Sequence, residues 1–240
     1  MTIKREDSIN NNHKGLGTIT HWHPKSPFAE AYRTLRTSIH FSSSGQPLQT
    51  LLITSAGPSE GKSTTLANLA ISMAQAGGRV LVVDADLRKP SQHKIFGALN
   101  GAGLTNWLVE GTPLDEVIQE TEVPGLWILP CGPIPPNPSE LLGSRRMEDL
   151  LKETRARFDT VLFDSPPVVA VTDATVLAPG MDGVVLVIRA KVARIDMTRE
   201  AKELLEKTGA RLIGVVLNAT HLPADDYYYY YYGEKRRRTV

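Results

Sequence analysis

Cysteine, net charge, long apolar runs and dispersed aromatics are all scarce in this chain. The one cysteine, Cys131, excludes a disulfide within the chain, and with no N-terminal signal pattern in view the expected setting is the reducing cytosol. Lysine plus arginine (27) nearly balance aspartate plus glutamate (26), so no global field argues for nucleic acid or a membrane surface as partner. No apolar stretch approaches the roughly 20 residues that a bilayer-spanning helix needs, so membrane contact would have to come through another protein or a local patch. Aromatics make up 6% of the residues, and of the seven tyrosines only Tyr32 lies outside one terminal block.

What is present suits one large α/β domain, expected over 25–220, between two polar flanks. Residues 1–24 carry no apolar period and read as a mobile arm, with His13, His21 and His23 solvated rather than metal-bound. Ser26-Pro27 can start a helix that runs to about 41 and is stopped by Gly45-Gln46-Pro47. On it Glu30, Arg33 and Arg36 recur every third residue and form one charged stripe within an arc of about 120°. Spacing alone favours a solvated face. The sharper alternative is a surface that meets an acidic patch on a neighbouring subunit.

From Thr50 the pattern alternates. Apolar runs at 50–55, 79–83, 126–129, 160–163, 184–188 and 212–217 predict strands, and helices are expected at 63–75, 104–108, 138–157, 172–177 and 194–207. Continuous apolar strands separated by helices imply a mostly parallel central sheet covered on both faces. Asn137-Pro138-Ser139-Glu140 supplies the cap, first-turn proline and third-position acid of a helix start.

Directly after the first strand comes Ala56-Gly57-Pro58-Ser59-Glu60-Gly61-Lys62-Ser63-Thr64. A small residue, four others and Gly-Lys-Ser between a strand and a helix form a phosphate-binding loop, whose backbone N–H groups and helix N-terminus face an anion. Lys62 is expected to reach the β and γ phosphates and the Ser63 hydroxyl to ligate Mg²⁺, which makes ATP and Mg²⁺ the expected cofactors. Asp84 and Asp86 follow the second strand on an extended segment, and Asp164 ends the fourth run before Ser165-Pro166-Pro167. Carboxylates at the carboxyl ends of parallel strands lie where open α/β sheets bind ligands. Hard oxygens suit Mg²⁺, and one carboxylate near a γ-phosphate can orient or deprotonate an attacking hydroxyl.

The phosphate loop, Val-Val-Asp84-Ala-Asp86-Leu-Arg88, Leu-Phe-Asp164-Ser-Pro-Pro and the tyrosine-rich end together resemble the cytoplasmic kinase domain of the bacterial tyrosine kinases, over about residues 26–232. The 132–142 segment is similar as well. The resemblance implies a P-loop NTPase fold and an ATP:protein-tyrosine phosphotransferase. Lys62 and Ser63 would then serve phosphate and Mg²⁺, Asp86 and Asp164 the metal, and Asp84 the tyrosine proton, although either acid of the 84/86 pair could face the metal. Glu30, Arg33 and Arg36 match the family's Glu-x-x-Arg-x-x-Arg motif, which implies ring-shaped, octameric homo-oligomers joined through the helix at 25–42 and reverses the preference from spacing. Asn218 sits where related P-loop ATPases contact adenine, though a turn-forming Asn is an equal reading. With no membrane span, the resemblance further implies a cytoplasmic chain recruited to the inner membrane face by a separate transmembrane activator, protein substrates bearing tyrosine, and control of capsular or exopolysaccharide synthesis and export.

A partitioning-type ATPase is the alternative on a similar scaffold. Those proteins carry a second lysine after the first small residue of the loop, and here that position is Gly57. The terminal 221–240 segment also argues for transfer to phenol, because Tyr227, Tyr228, Tyr229, Tyr230, Tyr231 and Tyr232 are consecutive and would expose hydroxyls on every side. The adjacent Lys235, Arg236, Arg237 and Arg238 read as a solvating terminus, or as a patch for anionic lipid or the phosphorylated tyrosines.

Overall fold

The computed structural model describes residues 18–42 and 48–220. The acceptor tail expected at 221–240, the basic run and the helix stop at Gly45-Gln46-Pro47 lie outside the described residues. Seven strands, β1 (Thr50–Ser55), β2 (Val80–Asp84), β3 (Gln119–Glu120), β4 (Leu126–Leu129), β5 (Thr160–Asp164), β6 (Gly183–Arg189) and β7 (Leu212–Asn218), form one sheet in the order β3-β4-β2-β5-β1-β6-β7. Every pairing is parallel except β3 with β4. The expected parallel α/β sheet is therefore present, with a short antiparallel edge that two polar residues could not announce.

The apolar runs divide by alternation. Leu51, Ile53, Val80, Val82, Leu162, Val185 and Val187 face one side, where Leu66, Leu69 and Ile71 of α3 (Lys62–Ala74) and Ile39 of α2 (Pro27–Ser42) cover them. Leu52, Leu81, Val83, Val161, Phe163, Val184 and Leu186 face the other. There α5 (Leu104–Glu110), α8 (Arg145–Arg157) and α10 (Ile195–Lys207) contribute Trp107, Leu108, Leu150, Leu151 and Leu205. Strands buried on both faces are dominated by apolar residues, which explains why their sequences lack a polar alternation.

Three local expectations change. Residues 18–24, read as part of the arm, include the helix α1 (Ile19–Trp22), and Thr18 and Thr20 are buried. Two side chains of α3 hold it: the Thr20 N–H donates to Asn68 Oδ1 at 2.9 Å, and Gln75 Nε2 donates to the Thr20 carbonyl at 3.2 Å. The helix expected at 138–157 is two, α7 (Pro138–Leu142) and α8, separated at Gly143 and Ser144. Pro138 does open α7, but Asn137 makes no cap bond; its Nδ2 donates instead to Glu140 Oε2 at 2.7 Å. Two short helices, α4 (Gln92–Phe96) and α6 (Leu114–Val117), went unread because five and four residues are too few to show a helical period. The remaining helix, α9 (Asp173–Leu177), lies within one residue of its expected place.

Candidate active site

The carboxyl ends of β1, β2 and β5 are adjacent in the sheet and carry the phosphate loop, Asp84 and Asp164. β1 is the point where the connections turn, since the chain passes from it toward β2 on one side and later returns to β6 on the other. A crevice outside such a point is where ligands bind in open α/β sheets.

The loop is braced from behind. The Ser55 hydroxyl donates to the Gly57 carbonyl at 2.7 Å, and the Gly57 N–H donates to Glu60 Oε1 at 3.2 Å. Glu60 is buried, which pushes its carboxyl up against the opposing effect of the Gly57 and Ala56 N–H groups. Pro58 and Ser59 form the exposed crest, with Ser59 in the left-handed region at φ 61° and its carbonyl accepting from Arg189 at 3.2 Å. Gly61 caps α3 at φ 87°, and a Cβ there would stand 2.1 Å from Asn218 Nδ2. Glycine is thus required twice, by backbone conformation and by space. Asn218 Nδ2 donates to the Glu60 carbonyl at 2.9 Å and its Oδ1 accepts from the Ala219 N–H, so in this state its carboxamide clamps the loop and turns the chain after β7. The Thr64 carbonyl accepts from Asn68 within α3.

Four of the expected site residues converge. Lys62 Nζ donates to Asp86 Oδ2 at 2.9 Å and to Asp164 Oδ1 at 3.2 Å, with Ser63 Oγ also 3.2 Å away. Burial works to lower the Lys62 pKa, but the charges of Asp164 and Asp86 outweigh it and the net shift is upward, so the ammonium is held charged. Asp86, just past β2, also accepts the Lys89 N–H at 3.0 Å. Asp164 Oδ2 accepts from Gln92 Nε2 at 2.8 Å.

Asp84 does not share the Lys62 ammonium with Asp86 and Asp164. It pairs with Asp164 across the β2–β5 ladder and is fully buried. Its Oδ2 accepts the N–H groups of Ser91 and Gln92 at 2.9 and 2.8 Å, while Oδ1 has no partner. Burial first, and the Asp164 charge next, push its carboxyl up to about 7, against those two N–H groups.

Two carboxylates facing one ammonium leave negative charge to be balanced. The donor set fits Mg²⁺: a cation, the Lys62 ammonium, is already held among Ser63 Oγ, Asp86 Oδ2 and Asp164 Oδ1, all hard oxygens. Among the described residues no cluster of three or more His, Cys, Asp or Glu forms a protein-only cage. Mg²⁺ is commonly bound by one or two carboxylates together with substrate phosphates.

Two participants, Gln92 and Asp173, escaped sequence reading. Gln92 on α4 touches Ser63, Asp84 and Asp164, but a lone glutamine carries no motif. Arg88 makes a bidentate pair with buried Asp173 at the start of α9 (2.8 and 2.9 Å) and reaches Ser139 of α7 at 3.1 Å. This network pins the segment after β2 against the 138–142 stretch; Arg88 was visible in its motif, its partner was not.

Residues 57–196 match a family described as an AAA domain. The chain is 45% identical over 199 residues to the tyrosine-protein kinase YwqD of Bacillus subtilis (strain 168), an alignment that covers 83% of this chain and 84% of that one. It is 42% identical to the putative tyrosine-protein kinase CapB of Staphylococcus aureus, over 82% of this chain and 87% of the other. The chain belongs to the bacterial tyrosine-kinase family. Among solved structures, the chimerical protein CapA2B2 superposes with a TM-score of 0.83 at 42% identity, over 86% of this chain and 91% of that one. The septum site-determining protein MinD of Pyrococcus horikoshii OT3, complexed with Mg-ADP, superposes at 0.61 with 22% identity, over 75% of this chain and 76% of that one, a likeness of fold alone. The expected P-loop NTPase fold and kinase family are thus met. No described helix is long and apolar enough to cross a membrane.

The charged stripe expected to join subunits is engaged within the chain. Arg33 pairs with Glu30 at 2.6 Å and donates to the Pro24 carbonyl, and Arg36 donates to the Ser72 carbonyl of α3 at 2.5 Å.

Proposed function

We propose that this protein is a Mg²⁺-ATP-dependent protein-tyrosine kinase that phosphorylates its own C-terminal tyrosines 227–232. The observation that carries the reading is the Lys62–Asp86–Asp164 cluster at the mouth of a phosphate loop, in a chain of tyrosine-kinase family. Bound Mg²⁺-ATP supplies the γ-phosphoryl group and the charge that stabilises its transfer. Lys62 leaves its carboxylates for the β and γ phosphates, which the backbone N–H groups from Ser59 to Thr64 also face. Ser63, Asp86 and Asp164 would be the residues that hold the cation, which would supply positive charge beside the transferred group. Asp84, with an unpartnered Oδ1 and a carboxyl raised to about 7, takes the phenol proton. The phenol oxygen bonds to the γ-phosphorus as the bond to the β-phosphate oxygen breaks, and ADP leaves.

Transfer runs between subunits of an octameric ring joined through Glu30, Arg33 and Arg36. A separate transmembrane activator recruits the chain to the inner membrane face, and a chimera named for two components, CapA2B2, is in keeping with such a pairing. The modified kinase controls capsular or exopolysaccharide synthesis and export, with further tyrosine-bearing proteins as substrates. Incubation with Mg²⁺-ATP followed by phosphosite mapping, with and without the activator, tests the core of this reading. Phosphate on tyrosines 227–232 is expected. Release of free phosphate with an unmodified tail would mark a partitioning-type ATPase instead.

A further inference from the structure

The most highly charged cluster of the site is tied together by a neutral residue. Gln92 is fully buried at the start of α4, eight residues beyond Asp84. Its Nε2 donates to Asp164 Oδ2 at 2.8 Å and to the Ser63 carbonyl at 3.1 Å, and its backbone N–H donates to Asp84 Oδ2 at 2.8 Å. One residue therefore joins the end of β5, the first turn of α3 and the end of β2. Its Oε1 has no protein partner among the described residues, so only the donor side of the carboxamide is used.

The chemistry of the residue suits that place. A carboxylate is free to rotate about its last side-chain bond unless both oxygens are held. With Oδ2 fixed by Gln92, Asp164 Oδ1 points at Lys62 and at whatever cation replaces the ammonium. The same amide nitrogen fixes the backbone turn that carries Ser63 Oγ, so the two oxygens keep a set separation. A glutamate at this position would add a fourth carboxylate to a cluster already short of positive charge, and a lysine would compete for the cation's own ligands. A neutral donor does neither.

We propose that Gln92 is a positioning residue for phosphoryl transfer, whose carboxamide locks Asp164 and the Ser63 turn so that Asp164 Oδ1 and Ser63 Oγ meet one Mg²⁺ ion. The inference rests on the magnesium-nucleotide reading given above. Partners one step removed from a metal typically change affinity or activity by about 10–100-fold when replaced.

The test uses the full chain with Gln92→Leu and, as a second apolar replacement of similar length, Gln92→Met. Fluorescent ADP is titrated in EDTA and across a Mg²⁺ series, and kcat and KM for ATP are measured on tail phosphorylation with the activator present. Affinity in EDTA stays within about twofold of the parent, the Mg²⁺ concentration for half-maximal binding rises about tenfold, and kcat falls 10–100-fold with little change in KM for ATP. High Mg²⁺ restores part of kcat, which a purely structural defect would not allow. A folded variant whose Mg²⁺ requirement and kcat stay within twofold of the parent overturns the proposal, as does an equal loss of ADP affinity with and without Mg²⁺. If neither variant folds, the side-chain amide resonances of Gln92 in the parent decide: they shift when Mg²⁺ is added to the ADP complex, and unmoved signals overturn the proposal. A parent that binds no Mg²⁺-nucleotide, or forms no phosphotyrosine, refutes the underlying reading instead.

Discussion

Lys62 Nζ lies 3.2 Å from Asp164 Oδ1, so the side chain expected to reach phosphate rests in this structure on the carboxylate expected to hold the metal. Lys62→Met removes that counter-charge while keeping the stem. Leaving one side of a buried ion pair uncompensated costs roughly 3–5 kcal/mol, within reach of a total stability of about 5–15 kcal/mol. The variant is expected to stay folded, to lose tail phosphorylation by more than about a thousandfold, and to gain more from added Mg²⁺ in urea denaturation than the parent does. Equal denaturation midpoints for the two proteins without Mg²⁺ would refute the stability part.

Asp84 gives a pH signature. Its carboxyl is raised from an ordinary 3.8 to about 7, so between those values the folded state binds more protons than the unfolded one. Stability of the nucleotide-free protein therefore falls as pH rises through that window and this contribution levels off above it. Asp84→Asn, which stays neutral, removes the Asp84 contribution and makes the slope shallower. Denaturant midpoints from pH 5 to 8 measure it, and identical slopes in parent and variant would contradict the assignment. Because Asp84 is also proposed to take the phenol proton, Asn should lower kcat far more than ATP affinity.

Gly61→Ala should weaken nucleotide binding at least about tenfold, since it combines a left-handed backbone, strained by roughly 1–2 kcal/mol for a residue with Cβ, with a Cβ placed 2.1 Å from Asn218 Nδ2. The double variant Gly61→Ala/Asn218→Ala removes the overlap but not the strain. Fluorescent-nucleotide titration should show partial recovery; full recovery would assign the whole loss to Asn218.

Mixing a Lys62→Met chain with an active chain truncated after Thr220 separates transfer within a subunit from transfer between subunits. Phosphotyrosine is expected on the inactive chain. Its absence, with the truncated chain active on another tyrosine substrate, would restrict transfer to a subunit's own tail.

Arg36→Ala breaks the bond to the Ser72 carbonyl, which joins α2 to α3 at 2.5 Å, and removes one member of the stripe proposed for assembly. Light scattering after gel filtration should report smaller particles, together with a modest loss of stability. Particles that keep the parent's mass would leave Arg36 an intrachain brace only.

Much of this architecture was legible in one dimension. The apolar runs at 50–55 and 126–129 coincide with β1 and β4, because strands buried on both faces announce themselves as uninterrupted β-branched and leucine-rich segments. Likewise, Gly-Lys-Ser between a strand and a helix already located Lys62, Ser63 and the anion-binding turn. The arm was misjudged at 18–24 because Thr20 is polar in sequence and buried only through Asn68 and Gln75, some fifty residues away. The break at Gly143 was hidden by the good helix formers on either side.

The sequence by itself determined six of the seven strands, the phosphate loop and which acids end the strands, since each follows from neighbours along the chain whose spacing matches a strand or a turn. Only the tertiary structure decided what those acids experience. That Lys62 bridges Asp86 and Asp164, that Asp84 is buried beside Asp164 with one unpartnered oxygen, and that Gln92 binds three segments at once all depend on β2, β5 and α3 meeting at one sheet edge. Burial and hydrogen bonding of a polar side chain are sums over residues distant in sequence, so no local pattern could have carried them.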